Sequence, residues 1–232
     1  MKLTRKQLKK FIVEMITPDM GQEKKKMFVL VGPPSVGKSH WIDDTFNVKP
    51  YVISRDDIVL EVADQYGWTY DDMFASPPED AMLGDVHPEY GQVVAPPAYM
   101  TWASSVYSKV NEANGEVHNL YMQRVAGALP SGQDIIVDMT NMNKSARSRA
   151  LNAIDGSRDE YEKIAVVFHY QGAEQAIRKI ADVRSKEENK TIPSDAFDRM
   201  FNAYEPVSID EGFDVIVDVD NREILKALAS KI

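Results

Sequence analysis

The octapeptide Gly32-Pro33-Pro34-Ser35-Val36-Gly37-Lys38-Ser39 follows an apolar run at 27–31 and opens a helical pattern at 38–45. Its G-x-x-x-x-G-K-[ST] spacing, set between a strand and a helix, is that of a phosphate cradle. The glycines let the backbone turn tightly, so successive N–H groups converge on phosphate oxygens. A helix starting near Lys38 adds its positive N-terminal end. Gly32, Ser35, Val36, Gly37, Lys38, Ser39 and His40 are therefore the candidate nucleotide contacts. Lys38 would reach the β- and γ-phosphates, and the Ser39 hydroxyl would bind Mg2+. ATP with Mg2+ is the expected pair. A cradle names a nucleotide and not a reaction, so the remaining polar residues have to do that.

No N-K-x-D base-reading motif of GTPases appears, and the chain is small for a motor. A kinase needs a base for the acceptor hydroxyl, an acid near Mg2+ and a mobile cation for the transferred group. Ser54-Arg55-Asp56-Asp57 falls where a second strand ends and a helix begins, on the edge where parallel α/β sheets bind ligands. Asp56 is the candidate base, kept ionised by the helix N-terminus. Arg55 and Asp57 are candidate acceptor contacts, with a plain capping role open for Asp57. Asp138 ends a third strand and is the candidate Mg2+ acid, acting through water or through Ser39. Thr140 and Asn141 follow it and could contact phosphates or the acceptor; a strand-end turn favours the same residue types. In a later helix, Arg184 continues the face of Ile177, Ile180 and Ala181. It is the candidate lid cation, with an internal salt bridge or a snorkelling side chain as the alternative. Arg178, Lys186 and Lys190 read as solvated.

The elements that must position these residues follow from the apolar pattern. Short Val/Ile-rich runs at 27–31, 51–54, 134–137, 164–169 and 215–219 alternate with helical patterns at 38–45, 57–65, 100–129, 145–154 and 173–188. That alternation predicts an α/β fold, a five-stranded parallel sheet flanked by helices. Residues 4–17 carry Leu8, Phe11, Ile12, Met15 and Ile16 at helical spacing, with Thr4 and Gln7 as a capping box. They predict an N-terminal helix, joined by a linker to a kinase domain at 27–232. Residues 66–98 hold five prolines and several aromatics, too many prolines for one helix. They read as an inserted cap, and 173–192 as a lid.

Charge qualifies the choice of partner. The 232-residue chain has a net charge of −9, yet ten of its acids lie between Asp56 and Ser108, where there is no Lys or Arg. The rest is nearly balanced, and the first 26 residues hold eight basic residues against three acidic ones. There are no cysteines, which excludes disulfides and a thiolate metal cluster and fits a cytoplasmic protein. No apolar run reaches the ~18 residues of a membrane span.

Taken together, the cradle, "ISRDDI", "VDMTNMN" with Arg147 downstream, and the basic "RSKEENKTIP" segment resemble the kinase domain of phage-type polynucleotide 5′-kinases, over about residues 27–219. The resemblance implies ATP- and Mg2+-dependent transfer of the γ-phosphoryl group to a 5′-hydroxyl of DNA or RNA. It implies Asp56 as base, Lys38 and Ser39 on the nucleotide, Arg184 in the lid role and Thr140 near the acceptor. The chain departs from the pattern in three places. A second lid arginine is replaced by Glu187 and Glu188, and the arginine that holds the acceptor's phosphate by Val59. A phosphatase domain is absent. Three alternatives stand beside this reading: a kinase for hydroxymethyluracil bases within DNA, a small-molecule or nucleotide kinase, and a non-catalytic ATP-binding module.

Overall fold

The computed structural model describes residues 24–74, 85–86, 93–94, 106, 108–188 and 190–232. The expected helix at 4–17, and most of the 66–98 segment, lie outside them. In chain order the main elements are β1 (Lys25–Val31), α1 (Lys38–Thr45), β2 (Tyr51–Ser54), α2 (Arg55–Tyr66), β3 (Asp85–Val86), β4 (Val93–Val94), α3 (Ser108–Ala128), β5 (Ile135–Asp138), α4 (Lys144–Asn152), β6 (Tyr161–His169), α5 (Glu174–Glu188), α6 (Ser194–Asn202), β7 (Val215–Asp220) and α7 (Arg222–Ala229).

Five strands form one parallel sheet in the order β2-β5-β1-β6-β7, as the alternating pattern predicts. β1 lies at the centre, buried from Lys26 to Val31. Phe28 and Leu30 join Ile136, Ile164, Val166, Phe168, Val217 and Val219 in the main core. That core is closed by Trp41 and Ile42 of α1, Ile177 and Ala181 of α5, Phe197 of α6 and Leu225 of α7. The alternate residues Met27, Val29, Val31, Ile135, Val137 and Ala165 are buried too, so both sheet faces are covered, which is why these strands read as continuous apolar runs. Trp41 meets Phe28, Phe46 and Phe168 edge-to-face at centroid distances of 6.3, 5.7 and 6.0 Å, the preferred aromatic geometry. The helix that opens at the cradle is thereby anchored by its fourth residue.

Several boundaries differ from expectation, each for a local reason. β5 starts at Ile135, where its ladder with β1 begins, the Lys26 N–H donating to the Asp134 carboxylate at 2.8 Å and not to a strand carbonyl; Asp138 is the strand's last residue. α2 starts at Arg55, so Asp56 and Asp57 both sit in its first turn. β6 starts three residues early, paired with β1 from Tyr161. α6 and α7 were not expected as separate elements. Arg178 is also not merely solvated. It donates to Ser194 and Asp198 of α6 and lies over the Phe197 and Phe201 rings at 5.4 and 5.3 Å.

The chain divides into two compact units, one of Met1–Arg55 with Met122–Ile232 and the other Asp56–Tyr121. The first contains the parallel sheet. The second contains the start of α3, the β3–β4 pair and nearly all of α2. Among its described residues Ile58, Val59, Val62, Ala63, Met73, Val110, Ala113 and Val117 are buried. No helix among the described residues is long and apolar enough to cross a membrane.

One ion pair ties the loop after β5 to the first unit's far loops. Arg147 of α4, 0% exposed, donates Nε and Nη2 to the Glu211 carboxylate at 2.6 and 2.8 Å and Nη1 to the Asn141 carbonyl at 3.1 Å. Burial raises the Glu211 carboxyl, but the Arg147 hydrogen bond, the Ser208 N–H and the Arg147 and Lys144 charges outweigh it, leaving Glu211 below its ordinary 4.5. A depressed carboxylate stabilises the fold above its unfolded pKa, and that contribution fades as pH falls through the folded one. Arg147→Ala should therefore cost about 3–5 kcal/mol at neutral pH by leaving Glu211 buried without its partner. In thermal melts the deficit should shrink as pH drops below 4.5; a constant deficit across pH would count against the ion pair as its cause.

Candidate active site

The cradle is built by strain that only its neighbours can hold. Ser35 has φ 59° and Gly37 φ 99°, both left-handed, so the chain doubles back between β1 and α1. Gly37 is the N-cap of α1 and supplies no side-chain cap bond. The amide end of α1 is thus not filled by a side chain from its own cap, which suits an anion. A Cβ on Gly37 would lie 3.1 Å from Asn221 Nδ2, and one on Gly32 3.0 Å from both Phe168 Cβ and Val36 Cγ1. The glycines are therefore fixed by packing as well as by φ.

Three braces hold this turn. The Gly32 N–H donates to the Thr140 carbonyl at 2.9 Å. Asn141 Nδ2 donates to the Leu30 carbonyl at 2.9 Å. Asn221 Nδ2, just past β7, donates to the Val36 carbonyl at 3.2 Å. Lys38 folds back, its Nζ donating to the Gly32 and Pro33 carbonyls at 3.1 and 3.2 Å. A phosphate would offer that ammonium a charged acceptor in place of neutral ones.

Of the other expected nucleotide and metal residues, Val36 is fully buried, while Ser39 and His40 are exposed in the first turn of α1. His40 Nε2 lies 3.5 Å from Asp44 Oδ2, one turn along. Asp138 ends β5 directly across from Ser54 of β2 in the parallel register. The first unit thus gathers the cradle, Asp138, Thr140 and Asn141 at the C-terminal edge of its sheet. Thr140 reaches the cradle through its backbone. Asn141 is 1% exposed with φ 47°, and its side chain serves as a strut under β1. Arg55 begins α2 at the end of β2. Asp56 and Asp57 belong to the second unit, both exposed. There the Tyr70 hydroxyl donates to Asp56 Oδ1 at 3.1 Å.

One position departs from the face it was expected to continue. Arg184 does not lie buried along the α5 face. It is 45% exposed, and its guanidinium donates to Glu188 Oε1 at 2.8 and 3.0 Å, one turn on. The packed face of α5 ends at Ala181, so Arg184 resolves its charge through a surface pair worth only a few tenths of a kcal/mol, about 0.3–0.5. Val59 is fully buried in α2; an arginine there would have to enter the core.

Asn221 escaped the sequence reading because it lies far along the chain with no motif around it. Its chain neighbours Asp220 and Arg222 belong to a cavity wall. Gln171, Asp220, Arg222, Glu223 and Lys226 line a cavity of about 450 Å³. Arg222 grips Asp220 with two nitrogens at 2.8 and 2.5 Å, and its hydrogen bond holds that carboxyl down at about 2.

A family model described as "AAA domain" matches residues 27–207. The chain belongs to the AAA domain family. A comparison with curated proteins finds no match. Among solved structures, this AAA domain is similar to one described as a "putative kinase from Chloroflexus aurantiacus J-10-fl", with a TM-score of 0.55 and 11% identity, covering 91% of this chain and 95% of that one. At that identity the likeness concerns the fold alone, a five-stranded parallel sheet flanked by helices.

The braces make the AAA domain's cradle testable apart from any chemistry. Asn221 makes no side-chain cap bond to α7, so Asn221→Ala removes the strut without uncapping the helix. Titration of the full chain with a fluorescent ATP analogue should show affinity weakened about fivefold, the worth of one ordinary hydrogen bond, with the melting temperature nearly unchanged. Unaltered affinity would mean that Gly37 and Phe168 hold the loop without it.

Proposed function

We propose that this protein is an ATP-dependent polynucleotide kinase that transfers the γ-phosphoryl group of ATP to a 5′-hydroxyl of DNA or RNA. The observation that carries the reading is the cradle with its lysine and uncapped helix end, followed along the chain by an exposed carboxylate, Asp56, two residues past β2 in the first turn of α2. The first feature fits a nucleotide triphosphate and the second a hydroxyl acceptor.

On this reading the amides of 35–40 and the Lys38 ammonium hold the β- and γ-phosphates, and the cavity beside Asn221 takes the nucleoside end. Asp56 accepts the acceptor's proton as its oxygen bonds to the γ-phosphorus. The bond from that phosphorus to the bridging oxygen breaks, and ADP leaves. The residues present fit a magnesium ion: the Ser39 hydroxyl and the Asp138 carboxylate are hard oxygen donors, and no cluster of three or more His, Asp or Glu forms a cage among the described residues. Mg2+ is ordinarily held by one or two carboxylates plus substrate phosphates. When bound, it would neutralise charge on the phosphate oxygens. Arg184, released from Glu188, would supply cationic charge to the transferred group, with Arg55, Asp57 and Thr140 on the acceptor side.

A second reading has one observation in its favour. Val59 is fully buried where the resembled family carries an arginine for the acceptor's phosphate. A kinase acting on a hydroxymethyluracil base within DNA would not need that contact.

The test is transfer from γ-labelled ATP with Mg2+ to three acceptors: 5′-hydroxyl oligonucleotides, hydroxymethyluracil DNA with blocked 5′ ends, and free nucleosides. Label on the first is expected. Label on the second alone would select the base-modifying kinase, and label on the nucleosides alone would remove both nucleic-acid readings. Asp56→Asn should lower kcat about 10²–10⁴-fold, the ordinary range for a positioned base, with ATP binding intact.

A further inference from the structure

We propose that Tyr70 is the positioning residue for the Asp56 base, an inference that rests on the assignment of Asp56 given above. The geometry is local to the second unit. The Tyr70 hydroxyl donates to Asp56 Oδ1 at 3.1 Å across 14 residues of chain. A carboxylate two residues into a helix can rotate about its own χ angles, and Asp56 is exposed. A phenol on one oxygen fixes that rotation. A carboxylate accepts up to about four hydrogen bonds, so the phenol leaves room for an acceptor hydroxyl on Oδ2.

The surrounding chain is built to return Tyr70 to the start of α2. The helix ends at Tyr66, and Gly67 follows with φ 66°, its N–H on the Asp64 carbonyl at 3.0 Å. The Trp68 N–H then donates to the Ala63 carbonyl at 2.8 Å. This left-handed turn sends the segment 67–70 back toward the start of the helix it has just left, where Tyr70 meets Asp56. Next comes a locked corner. Asp72 Oδ2 accepts from both the N–H and the hydroxyl of Thr69 at 2.7 Å, and the Asp72 N–H returns a bond to Thr69 Oγ1 at 3.3 Å. Met73 anchors the corner in the interior, and its N–H donates to the Tyr70 carbonyl at 3.2 Å. The Tyr70 ring leans on Phe74 at a centroid distance of 5.1 Å. The phenol is thus held at its backbone on both sides and along its ring, and an exposed carboxylate gains a fixed partner.

The test uses the full chain with γ-labelled ATP, Mg2+ and the acceptor that the wild-type protein labels. Tyr70→Phe keeps the ring on Phe74 and removes only the hydroxyl. A base released from its orientation should lower kcat about tenfold to a hundredfold, while KM for ATP and for the acceptor stays within about twofold. Added to Asp56→Asn, Tyr70→Phe should cause no further loss, because its effect passes through the carboxylate. Wild-type kcat in Tyr70→Phe would overturn the proposal, as would an undiminished second loss in the Asp56→Asn background. Label found on Tyr70 itself after incubation with ATP alone would also overturn it, making the hydroxyl an acceptor and not a support. Full activity in Asp56→Asn would remove the base assignment and this proposal with it; an impaired Asp56→Asn beside an unimpaired Tyr70→Phe would remove this proposal alone.

Discussion

The structure depends on one constraint: a loop of six residues must hold two left-handed backbone positions, Ser35 and Gly37, at the end of a central strand while leaving the helix N-terminus beyond them open. Neither half of that demand is favourable alone. A non-glycine residue in the left-handed region costs about 1–2 kcal/mol, and an uncapped helix start leaves amides without intrahelical partners. The cost is met by bracing from outside the loop. Thr140, Asn141 and Asn221 each bind a backbone group of 30–36. Asn141 is in turn held at its carbonyl by Arg147, and Arg147 by Glu211. A chain of bonds thus runs from the 3-10 turn at Ile209–Glu211 to the end of β1. The sheet order explains why it can. β5 and β6 flank β1 on either side and β7 lies one strand further, so the loops that follow them open at the same edge as the cradle.

On the proposed reading, the division into two units separates the residues assigned to the nucleotide from the residue assigned as base. The first unit holds the cradle, its braces and the polar cavity beside Asn221. The second begins at Asp56, the residue assigned as base, and holds that residue's hydrogen-bond partner Tyr70. α2 belongs to both arguments. It follows β2 directly in the chain, and its buried face, Ile58, Val59, Val62 and Ala63, belongs to the second unit's own packing. That packing accounts for Val59. The position is internal, one turn in from Asp56, and a valine there contributes to a core that an arginine would disrupt.

The fold was legible because its strands are buried on both faces. Runs such as MFVLV at 27–31 and DIIV at 134–137 read as buried strands when helical patterns separate them, and the five-stranded parallel sheet followed from that alternation. The cradle was legible because its chemistry requires glycine, lysine and serine at fixed spacing. α6 and α7 were not, because each is only two turns long and begins next to a proline or a strand end, where short-range pattern carries little signal. Asn221 and Tyr70 were invisible for a different reason. Their partners lie 185 and 14 residues away, and nothing in the residue type announces a contact of that kind. Arg178 and Arg184 show the same limit from the other side. Both are charges on one helix, yet the one expected to be solvated bridges to α6, while the one expected to follow the buried face turns outward to Glu188.

The acid-rich second unit bears on how a nucleic acid would be held. Between Asp56 and Ser108 there are ten carboxylates and no Lys or Arg. Tracking along a phosphate backbone requires Lys and Arg in step with the phosphates, and residues 56–108 supply neither. A terminal hydroxyl poses a different problem. It needs one base and a place for one nucleotide, and an acidic surround disfavours any approach that presents the backbone before the end. On the proposed reading the charge pattern is therefore a selector for ends over interiors. The same pattern suits a small neutral acceptor equally well, so it is the identity of the labelled acceptor, not the net charge of −9, that distinguishes the two.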